Sequence, residues 1–266
     1  MKIDIVTIFP DFFRGPLNYG IIRRAQEAGL VEIAVWDLRE FAHDRHKTVD
    51  DRPFGGGEGM VLKPEPIFEC IESLGIASRG NRANESVILL SAQGEGFEQR
   101  AATDLAKLDR MVLICGRYEG VDERVGQYLA DREISVGDFV LSGGEIGAAL
   151  MADAVIRLIP GALGNASSSQ QESFTEQPEK APGGGRPDST CGSGGLLDYP
   201  HYTRPADFRG MTVPEVLGRG NHDEIRRWRR RRAIEKTWRN RPDLLEGAKL
   251  SGDDAKALEE IRSRSS

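Results

Sequence analysis

The stretch MVLICGRYEGVDER, from Met111 to Arg124, runs from an apolar strand straight into a glycine-rich turn. A second stretch, ISVGDFVLSGGE from Ile134 to Glu145, repeats this pattern and leads into a long apolar helix. Glycine at the end of a strand lets a ligand approach bare backbone. Two such turns within Met111 to Pro160 therefore predict a ligand cleft. Neither turn matches the dinucleotide fingerprint or the phosphate-binding P-loop.

The composition predicts a globular protein with one large domain, or a main domain and a smaller companion. The chain has 266 residues, of which 39% are hydrophobic and 29% charged, and no apolar run long enough to span a membrane. The acid within the apolar N-terminal run favours a first strand over a signal peptide. Three widely spaced cysteines, Cys70, Cys115 and Cys191, form no Cys-x-x-Cys pair. This usage predicts a reduced, cytoplasmic setting without structural zinc.

The net charge of −6 conceals a strong separation of charge along the sequence. Residues Arg219 to Arg241 contain ten Lys or Arg and three Asp or Glu, so this segment carries +7 and the remainder −13. A concentrated basic segment on an acidic protein can bind a polyanion locally. A solvated helix face is the alternative interpretation of the same charges.

The first 160 or so residues alternate strand and helix patterns, which predicts an α/β domain with a mainly parallel sheet. The strand candidates are short and rich in Val and Ile: Ile3 to Phe9, Val31 to Leu38, Val87 to Ser91, Met111 to Cys115 and Ile134 to Leu141. The helix candidates lie between and after them: Ile21 to Ala28, Glu65 to Leu74, Glu98 to Leu108, Glu123 to Leu129 and Glu145 to Ile159.

The character of the sequence changes after this block, and three regions are predicted: 1–165, 166–195 and 196–266. The middle region contains Gln177 to Gly194, a run of Pro, Gly, Ser and charge that cannot bury a core, and is interpreted as a flexible linker. Two capping boxes, Thr212-x-x-Glu215 and Asn221-x-x-Glu224, predict the starts of helices in a small helical C-terminal domain.

Two loop segments allow both functional and neutral interpretations. His43-Asp44-Arg45-His46 holds two histidines three residues apart, but no glutamate completes a zincin motif, so a loop is favoured over a metal site. Asp50 to Met60 contains DRPFGGGEG. Such a segment is either a mobile surface loop or a functional one, namely a lid or a backbone surface pressed against a substrate.

Four segments carry a resemblance to a known family: His43 to Met60, Cys115 to Arg124, Gly137 to Glu145 and Leu196 to Pro205. Together they resemble the bacterial tRNA (guanine-N1)-methyltransferases of the TrmD family, in the SPOUT class. The resemblance extends from Lys2 to about Glu246. It implies a trefoil-knotted α/β domain, a homodimer, S-adenosylmethionine as methyl donor, tRNA as substrate with methylation at guanine 37, and a dependence on Mg²⁺ for which no ligand residues are identified.

The resemblance places the methyl donor among backbone groups of three loops. The implied donor-binding residues are Leu90, Ala92, Gly116, Tyr118, Glu119, Val136, Gly137, Phe139, Leu141, Gly143 and Gly144. Glu119 is the acid suited to the donor's cationic end, and a surface ion pair with Arg117 or Arg124 is the alternative role for it. The family often has proline where this chain has Ala92. This difference removes no side chain that the chemistry needs.

Methylation at N1 of guanine needs a general base for the N1 proton and a partner for the charge that develops on O6. The resemblance assigns the base to Glu172 and the O6 partner to Arg157. The family usually has aspartate at the base position, and a solvated loop acid is the alternative for Glu172. The alternative role for Arg157 is an ordinary ion pair within the helix with Asp153, four residues earlier.

For tRNA, the resemblance and the basic segment together implicate Asp50, Arg52, His201, Arg204, Arg226 and Arg229. Trp228 or Trp238 can stack on a base or lie in the core. The insertion of Gln177 to Gly194 is expected to raise the entropic cost of ordering the linker. Two rival functions remain: a non-catalytic RNA-binding relative, and a SPOUT methyltransferase for another RNA.

Overall fold

A computed structural model describes residues 1–164, 172–175 and 193–265. The chain divides into two compact units, Met1–Gly164 and Asn165–Ser266. Most of the linker predicted at 166–195, including residues 177–192 of its inserted run and hence Cys191, lies outside the described residues. The three-part division of the chain therefore stays a prediction.

The first unit is built on a parallel five-stranded sheet, which confirms the mainly parallel α/β prediction. Its strands are β1 (Lys2–Thr7), β2 (Glu32–Asp37), β5 (Glu85–Gly96), β6 (Arg110–Cys115) and β7 (Arg132–Ser135), in the order β2-β1-β6-β5-β7. Two further short strands, β3 (Asp50–Asp51) and β4 (Val61–Leu62), form an antiparallel hairpin. Strands buried on both faces read as continuous apolar runs, and for this reason the sequence reveals most of them.

Helices cover both faces of the sheet. The helices are α1 (Gly20–Glu27), α2 (Pro64–Ser73), α3 (Gln99–Leu105) and α4 (Glu145–Ile156), with a π-helical turn at Val125–Leu129. Alternate residues of the central strands face opposite layers: Leu113 packs in a core with α1, α3 and α4, whereas Ile114 packs with α2 and the π-helical turn. Short 3₁₀ turns occur at Pro10–Arg14, Pro16–Asn18 and Leu38–Phe41.

Two of the sequence predictions for local structure are wrong. The last strand ends at Ser135 and does not reach Leu141, because Gly137 adopts a φ of 149° and turns the chain away from the sheet. Thr212 does not cap a helix: it lies in a short hairpin, β8 (Asp207–Phe208) with β9 (Met211–Thr212). The 3₁₀ turn that follows, Glu215–Gly218, begins after Pro214 without a side-chain cap.

The second unit has its own small helical core. Its helices are α5 (His222–Asn240), α6 (Asp243–Glu246) and α7 (Gly252–Ser265). The side chain of Asn221 accepts hydrogen bonds from the backbone N–H groups of Asp223 and Glu224, so the predicted N-cap of α5 is confirmed. Leu196, Ile234 and Ile261 are buried together, with Trp238 packed against them. No helix in the described ranges is both long and apolar enough to cross a membrane.

A buried ion pair fastens the first strand. Asp4, fully buried in β1, accepts hydrogen bonds from Arg110 Nε at 2.8 Å and from the indole N–H of Trp36 at 2.8 Å. Arg110 also donates to the backbone carbonyl of Leu74. Three neighbouring strands, β2, β1 and β6, and the end of α2 are thereby joined through one carboxylate.

We expect Asp4→Ala to lower the free energy of unfolding by about 3–5 kcal/mol, because it leaves the guanidinium of Arg110 buried without its counter-charge. Asp104→Ala is the control, since Asp104 forms an exposed pair with Lys107 and its loss should cost less than about 1 kcal/mol. Urea titrations of both variants measure the difference. Equal losses for the two variants would contradict the role given to Asp4.

A second ion pair holds α5 against α7. Arg230 donates to both carboxylate oxygens of Asp254 at 3.0 Å and also to the carbonyl of Ser193. Burial raises the pKa of the Asp254 carboxyl, but the hydrogen bonds and charge of Arg230 and the N–H of Ser251 outweigh it. The pKa therefore lies below its ordinary value of 3.8.

A carboxyl with a lowered folded-state pKa stabilises the fold above its unfolded pKa, and this contribution is lost as the pH falls through the folded value. We expect Asp254→Asn to be less stable than wild type near neutral pH, and the gap to shrink as the pH drops below about 4. Thermal unfolding across this pH range tests it, with the exposed neighbour variant Asp253→Asn as control. A stability difference between wild type and Asp254→Asn that does not change with pH would contradict the lowered pKa of Asp254.

Candidate ligand pocket at the carboxyl edge of the sheet

A pocket of about 450 Å³ opens where β6 and β7 end on either side of β5. Ligands of open parallel sheets bind beyond the carboxyl ends of the strands, so its position fits a binding site. All eleven residues that the sequence proposed for donor binding line it: Leu90, Ala92, Gly116, Tyr118, Glu119, Val136, Gly137, Phe139, Leu141, Gly143 and Gly144. The residues that the resemblance grouped therefore form the walls of one cavity.

The first wall is an irregularity in β5. Leu90 and Glu95 both pair with Ile134 of β7, so the residues between them leave the regular ladder. Three of these residues line the pocket: Ser91, Ala92 and Gln93. Gly94 makes this possible. A Cβ at Gly94 would lie 2.4 Å from the carbonyl carbon of Glu133 and 2.5 Å from the backbone nitrogen of Ile134, which no side chain tolerates.

The second wall joins the turn after β6 to the start of α4. The N–H of Gly144 donates to the carbonyl of Gly116 at 2.9 Å, and Arg117 pairs with Gly143 as an isolated antiparallel bridge. A Cβ at Gly144 would lie 2.8 Å from the Cα of Cys115. Glycine is required here because two backbone segments touch.

The third wall is the turn that follows β7. The hydroxyl of Ser135 donates to the carbonyl of Gly137 at 3.0 Å, which fixes the turn where the strand stops. Phe139 lies over Gly137 and is more than half exposed, as is Val140. The apolar residues that the sequence assigned to a strand instead line the pocket, as Val136, Phe139 and Leu141 do.

The hairpin formed by β3 and β4 carries the glycine-rich loop Asp50 to Met60 against the pocket. The N–H of Glu119 donates to the carbonyl of Met60 at 3.0 Å, and a Cβ at Gly59 would lie 2.5 Å from Oε1 of Glu119. Tyr118, beside it, has a φ of 59°, an uncommon conformation for a bulky residue. The end of the loop, at Gly59 and Met60, therefore lies against Glu119, and the role of the loop stays a prediction.

Glu119 does not form the ion pairs that were its alternative role. Arg124 binds both carboxylate oxygens of Asp122, and Arg117 binds Glu145. Among the described residues no ion pair involves the Glu119 carboxylate. This acid lines the pocket and is available to a ligand.

Sequence reasoning missed a buried network under the pocket. Glu145 is 3% exposed, and it accepts hydrogen bonds from Thr7 and Arg117. Acidic residues are common at the first position of a helix because they interact favourably with the helix dipole. The sequence around Glu145 therefore does not indicate that its side chain is buried. Burial first, and then the Glu145 carboxylate, raise the pKa of the Cys115 thiol well above its usual value. Cys115 therefore remains a neutral thiol.

The two proposed catalytic residues lie in different units of the chain. Arg157 is the half-buried C-cap of α4, and its backbone N–H donates to the carbonyl of Asp153. Glu172 is half-buried at the start of the short described segment 172–175. Their roles stay predictions.

The segment that carries Glu172 is anchored to the chain around Asp198. Phe174 N–H donates to the carbonyl of Leu196 at 2.9 Å, and the Ser173 hydroxyl accepts from the N–H of Asp198 at 2.9 Å. The Asp198 carboxylate itself accepts from His201 and from the N–H of Tyr199. Glu172 thus has a defined backbone position despite its place in the predicted linker.

The six residues proposed for tRNA also divide between the units. Asp50 and Arg52 lie at the start of the hairpin loop in the first unit. In the second unit His201 pairs with Asp198, Arg204 is exposed, Arg226 pairs with Asp223, and Arg229 lies over the ring of Tyr199 at 4.8 Å.

The charge of α5 is largely balanced by neighbouring acids. The arginines of α5 and of the residues flanking it pair with acids on α5, α6 and α7 and in the preceding 3₁₀ turn: Arg219 with Glu215, Arg231 with Glu260, Arg232 and Arg239 with Glu235, and Arg241 with Asp243. Exposed pairs of this kind are weak, so a phosphate can replace the acid. Both interpretations of the basic segment are therefore compatible with the helix.

The histidine segment forms no metal site within the described ranges. His43 Nε2 lies 2.6 Å from a carboxylate oxygen of Glu69, and Asp44 accepts hydrogen bonds from Thr48. No group of three or more His, Cys, Asp or Glu suited to a metal ion occurs in the described part of the chain.

The fold and pocket define an α/β protein with a cavity of small-molecule size beside glycine-rich backbone at the carboxyl edge of a parallel sheet. A profile of the family described as tRNA (Guanine-1)-methyltransferase TrmD matches residues 1–247. The chain belongs to this family, so the predicted enzyme class, a methyltransferase acting on tRNA, is confirmed.

Three curated relatives match along nearly their whole length. Each is called tRNA (guanine-N(1)-)-methyltransferase. The relative from Koribacter versatilis is 70% identical, covering 98% of both chains. Those from Dictyoglomus turgidum and Geobacter metallireducens are 50% and 49% identical, covering 98% of this chain and 97% and 98% of their own.

Proposed function

We propose that the chain transfers the methyl group of S-adenosylmethionine to N1 of guanine 37 in tRNA. The observation that carries the proposal is the pocket: eleven residues chosen from three separate loops line a single cavity in a member of this family. A cavity of about 450 Å³ falls within the range of roughly 300–1,000 Å³ typical of small-molecule sites.

The residues of the pocket fit such a donor. Gly116 and Gly144 line the pocket with backbone at positions where a larger residue would clash with or crowd neighbouring atoms. Backbone N–H and C=O groups can read an adenine edge without charged side chains. Glu119 supplies a carboxylate for the positive sulfonium, which a charged pocket wall stabilises. When bound, the donor supplies an electrophilic methyl carbon on a sulfur that leaves as a neutral thioether.

The residues proposed for chemistry act on the guanine. Glu172 takes the N1 proton as the bond from N1 to the methyl carbon forms, and the negative charge that spreads to O6 is met by the guanidinium of Arg157. The anchoring of residues 172–175 beside Asp198 supports this role, because a general base must be held within hydrogen-bond reach of its proton.

For tRNA binding we propose two surfaces. Asp50 and Arg52 border the hairpin loop next to the pocket, and His201, Arg204, Arg226 and Arg229 belong to α5 and the segment before it. Trp228 is only partly buried and lies 6.3 Å from the ring of Tyr202, whereas Trp238 packs in the core. Trp228 is therefore the better candidate for stacking on a base.

We propose a homodimer in the cytoplasm, with the trefoil knot of the SPOUT class. Helix α4 is mostly apolar, and Ile146 and Leu150, four residues apart on one face, are 49% and 44% exposed. A helix of this kind is normally covered, and a second copy is the occupant we propose. The described cysteines, Cys70 and Cys115, are free thiols, as a reducing compartment requires. Mg²⁺ dependence is retained as a proposal without ligand residues.

Substrate choice tests the proposal. The full-length protein is incubated with labelled donor and with tRNA transcripts that carry either guanine or adenine at position 37, each preceded by guanine 36. We expect transfer to the guanine transcript and none to the adenine transcript. Equal transfer to both would assign the enzyme to another target, and donor binding without any transfer would favour a non-catalytic relative.

A further inference from the structure

The buried carboxylate of Glu145 lies under the pocket but does not line it. Its Oε1 accepts a hydrogen bond from the hydroxyl of Thr7 at 2.8 Å, and its Oε2 accepts from Nη1 of Arg117 at 3.4 Å. Thr7 is itself buried at the end of β1, and its oxygen accepts from the N–H of Phe9 at 2.9 Å. One carboxylate therefore joins the end of β1, the turn after β6 and the start of α4.

Arg117 is the member of this network that reaches the pocket. Its guanidinium lies 4.7 Å from the ring centre of Phe9, and Nη1 also faces the hydroxyl of Ser142 at 3.3 Å. The side chain is three-quarters buried, with 25% exposed. Arg117 thus belongs to two pocket walls at once, and its orientation depends on groups beneath the cavity.

Gly143 shows how closely the backbone approaches this pair. A Cβ at Gly143 would lie 2.4 Å from Nη1 of Arg117 and 2.5 Å from Oε2 of Glu145. Only glycine lets the pocket wall pass over the ion pair at this distance. The same turn therefore shapes the cavity and accommodates the buried charges.

A buried ion pair is a poor way to gain stability, because desolvation offsets much of the attraction. Packing alone would be served as well by apolar residues of similar size. Buried ionic groups are retained in some proteins because they specify one conformation, and this pair connects the two turns that form the pocket.

We propose that Glu145 is a positioning residue for methyl-donor binding. It holds Arg117, and through Arg117 the turns Gly116 to Glu119 and Ser142 to Gly144, in the conformation that receives the donor. The inference rests on the proposed function, since it concerns how that pocket binds its ligand.

Glu145→Gln in the full-length protein is the direct test. The glutamine keeps the shape and can accept from Thr7, but it presents a neutral amide to Arg117. We expect the dissociation constant of S-adenosylhomocysteine, measured by calorimetry, to rise about tenfold, as for a lost charged hydrogen bond. At saturating donor, kcat should return to within about threefold of wild type, because the chemistry is untouched.

A double-mutant cycle separates positioning from general loss of structure. If Glu145 acts through Arg117, then Arg117→Met and the double variant with Glu145→Gln should weaken ligand binding by the same factor. The proposal would be overturned if the double variant raised the dissociation constant by the product of the two single factors. An unchanged dissociation constant in Glu145→Gln would overturn it as well.

A second pair of variants keeps the test valid if Glu145→Gln folds poorly. Thr7→Ser retains the hydroxyl and should bind the ligand as wild type does, whereas Thr7→Val should bind more weakly. An equal loss of ligand affinity in Thr7→Ser and Thr7→Val would overturn the positioning role. Failure of wild type to transfer a methyl group would instead overturn the proposed function, so the two failures are distinguishable.

Discussion

Glu172→Gln is expected to slow methyl transfer by about a thousandfold while the donor binds as tightly as to wild type. Glutamine matches the size of glutamate but cannot accept the N1 proton at neutral pH. Every lining residue of the pocket among the described ones belongs to the first unit, whereas Glu172 belongs to the second, so we expect the substitution to leave these walls unchanged. Single-turnover transfer to tRNA and calorimetry with S-adenosylhomocysteine measure the two quantities separately.

Glu172→Asp is the matched control, because aspartate is the usual residue of the family at this position. It should retain transfer within about tenfold of wild type if the shorter carboxylate still reaches the guanine. Full turnover in Glu172→Gln would show that the base lies elsewhere. Asp198 is then the next candidate, although its carboxylate already accepts hydrogen bonds from His201 and from the N–H of Tyr199.

Gly94→Ala is expected to weaken donor binding on the order of a hundredfold, since small displacements within a site are costly. The new Cβ would meet the backbone of Glu133 and Ile134 at 2.4–2.5 Å, so β5 and β7 must move apart. Overpacking of this kind also lowers stability by about 1–3 kcal/mol. Calorimetry and thermal unfolding report the two effects.

Gly96→Ala provides the control for Gly94→Ala. Gly96 lies two residues further along the same strand, and a Cβ there would meet no atom within 4 Å. Its stability and ligand affinity should therefore match wild type. If Gly94→Ala bound the ligand as tightly as Gly96→Ala does, this result would contradict the close backbone approach that forms the first wall of the pocket.

The sheet could be predicted from the sequence because its strands are buried on both faces. Each gives a short apolar run, and the helices between them follow the same logic. The prediction failed beyond Ser135, where Val136, Phe139 and Leu141 are apolar because they line a pocket. Periodicity does not distinguish a residue that faces a ligand from one that faces the core.

The pocket could be found from its glycines, but the groups beneath it could not. Gly94 and Gly144 mark places where backbones touch, and a family resemblance locates such turns well. Glu145 looks like an ordinary helix-starting acid, and Thr7 looks like the end of a strand. Their hydrogen bond joins residues 138 positions apart, and no local pattern encodes a contact of that separation.

The identity of the methylated product tests the central claim most directly. A tRNA transcript with guanine at position 37 is treated with the full-length protein and S-adenosylmethionine, digested to nucleosides and analysed by mass spectrometry against standards. We expect 1-methylguanosine to form only when protein and donor are both present, and only from the nucleotide at position 37. A methyl group found on another atom or nucleotide, or no methylated product at all, would contradict the account.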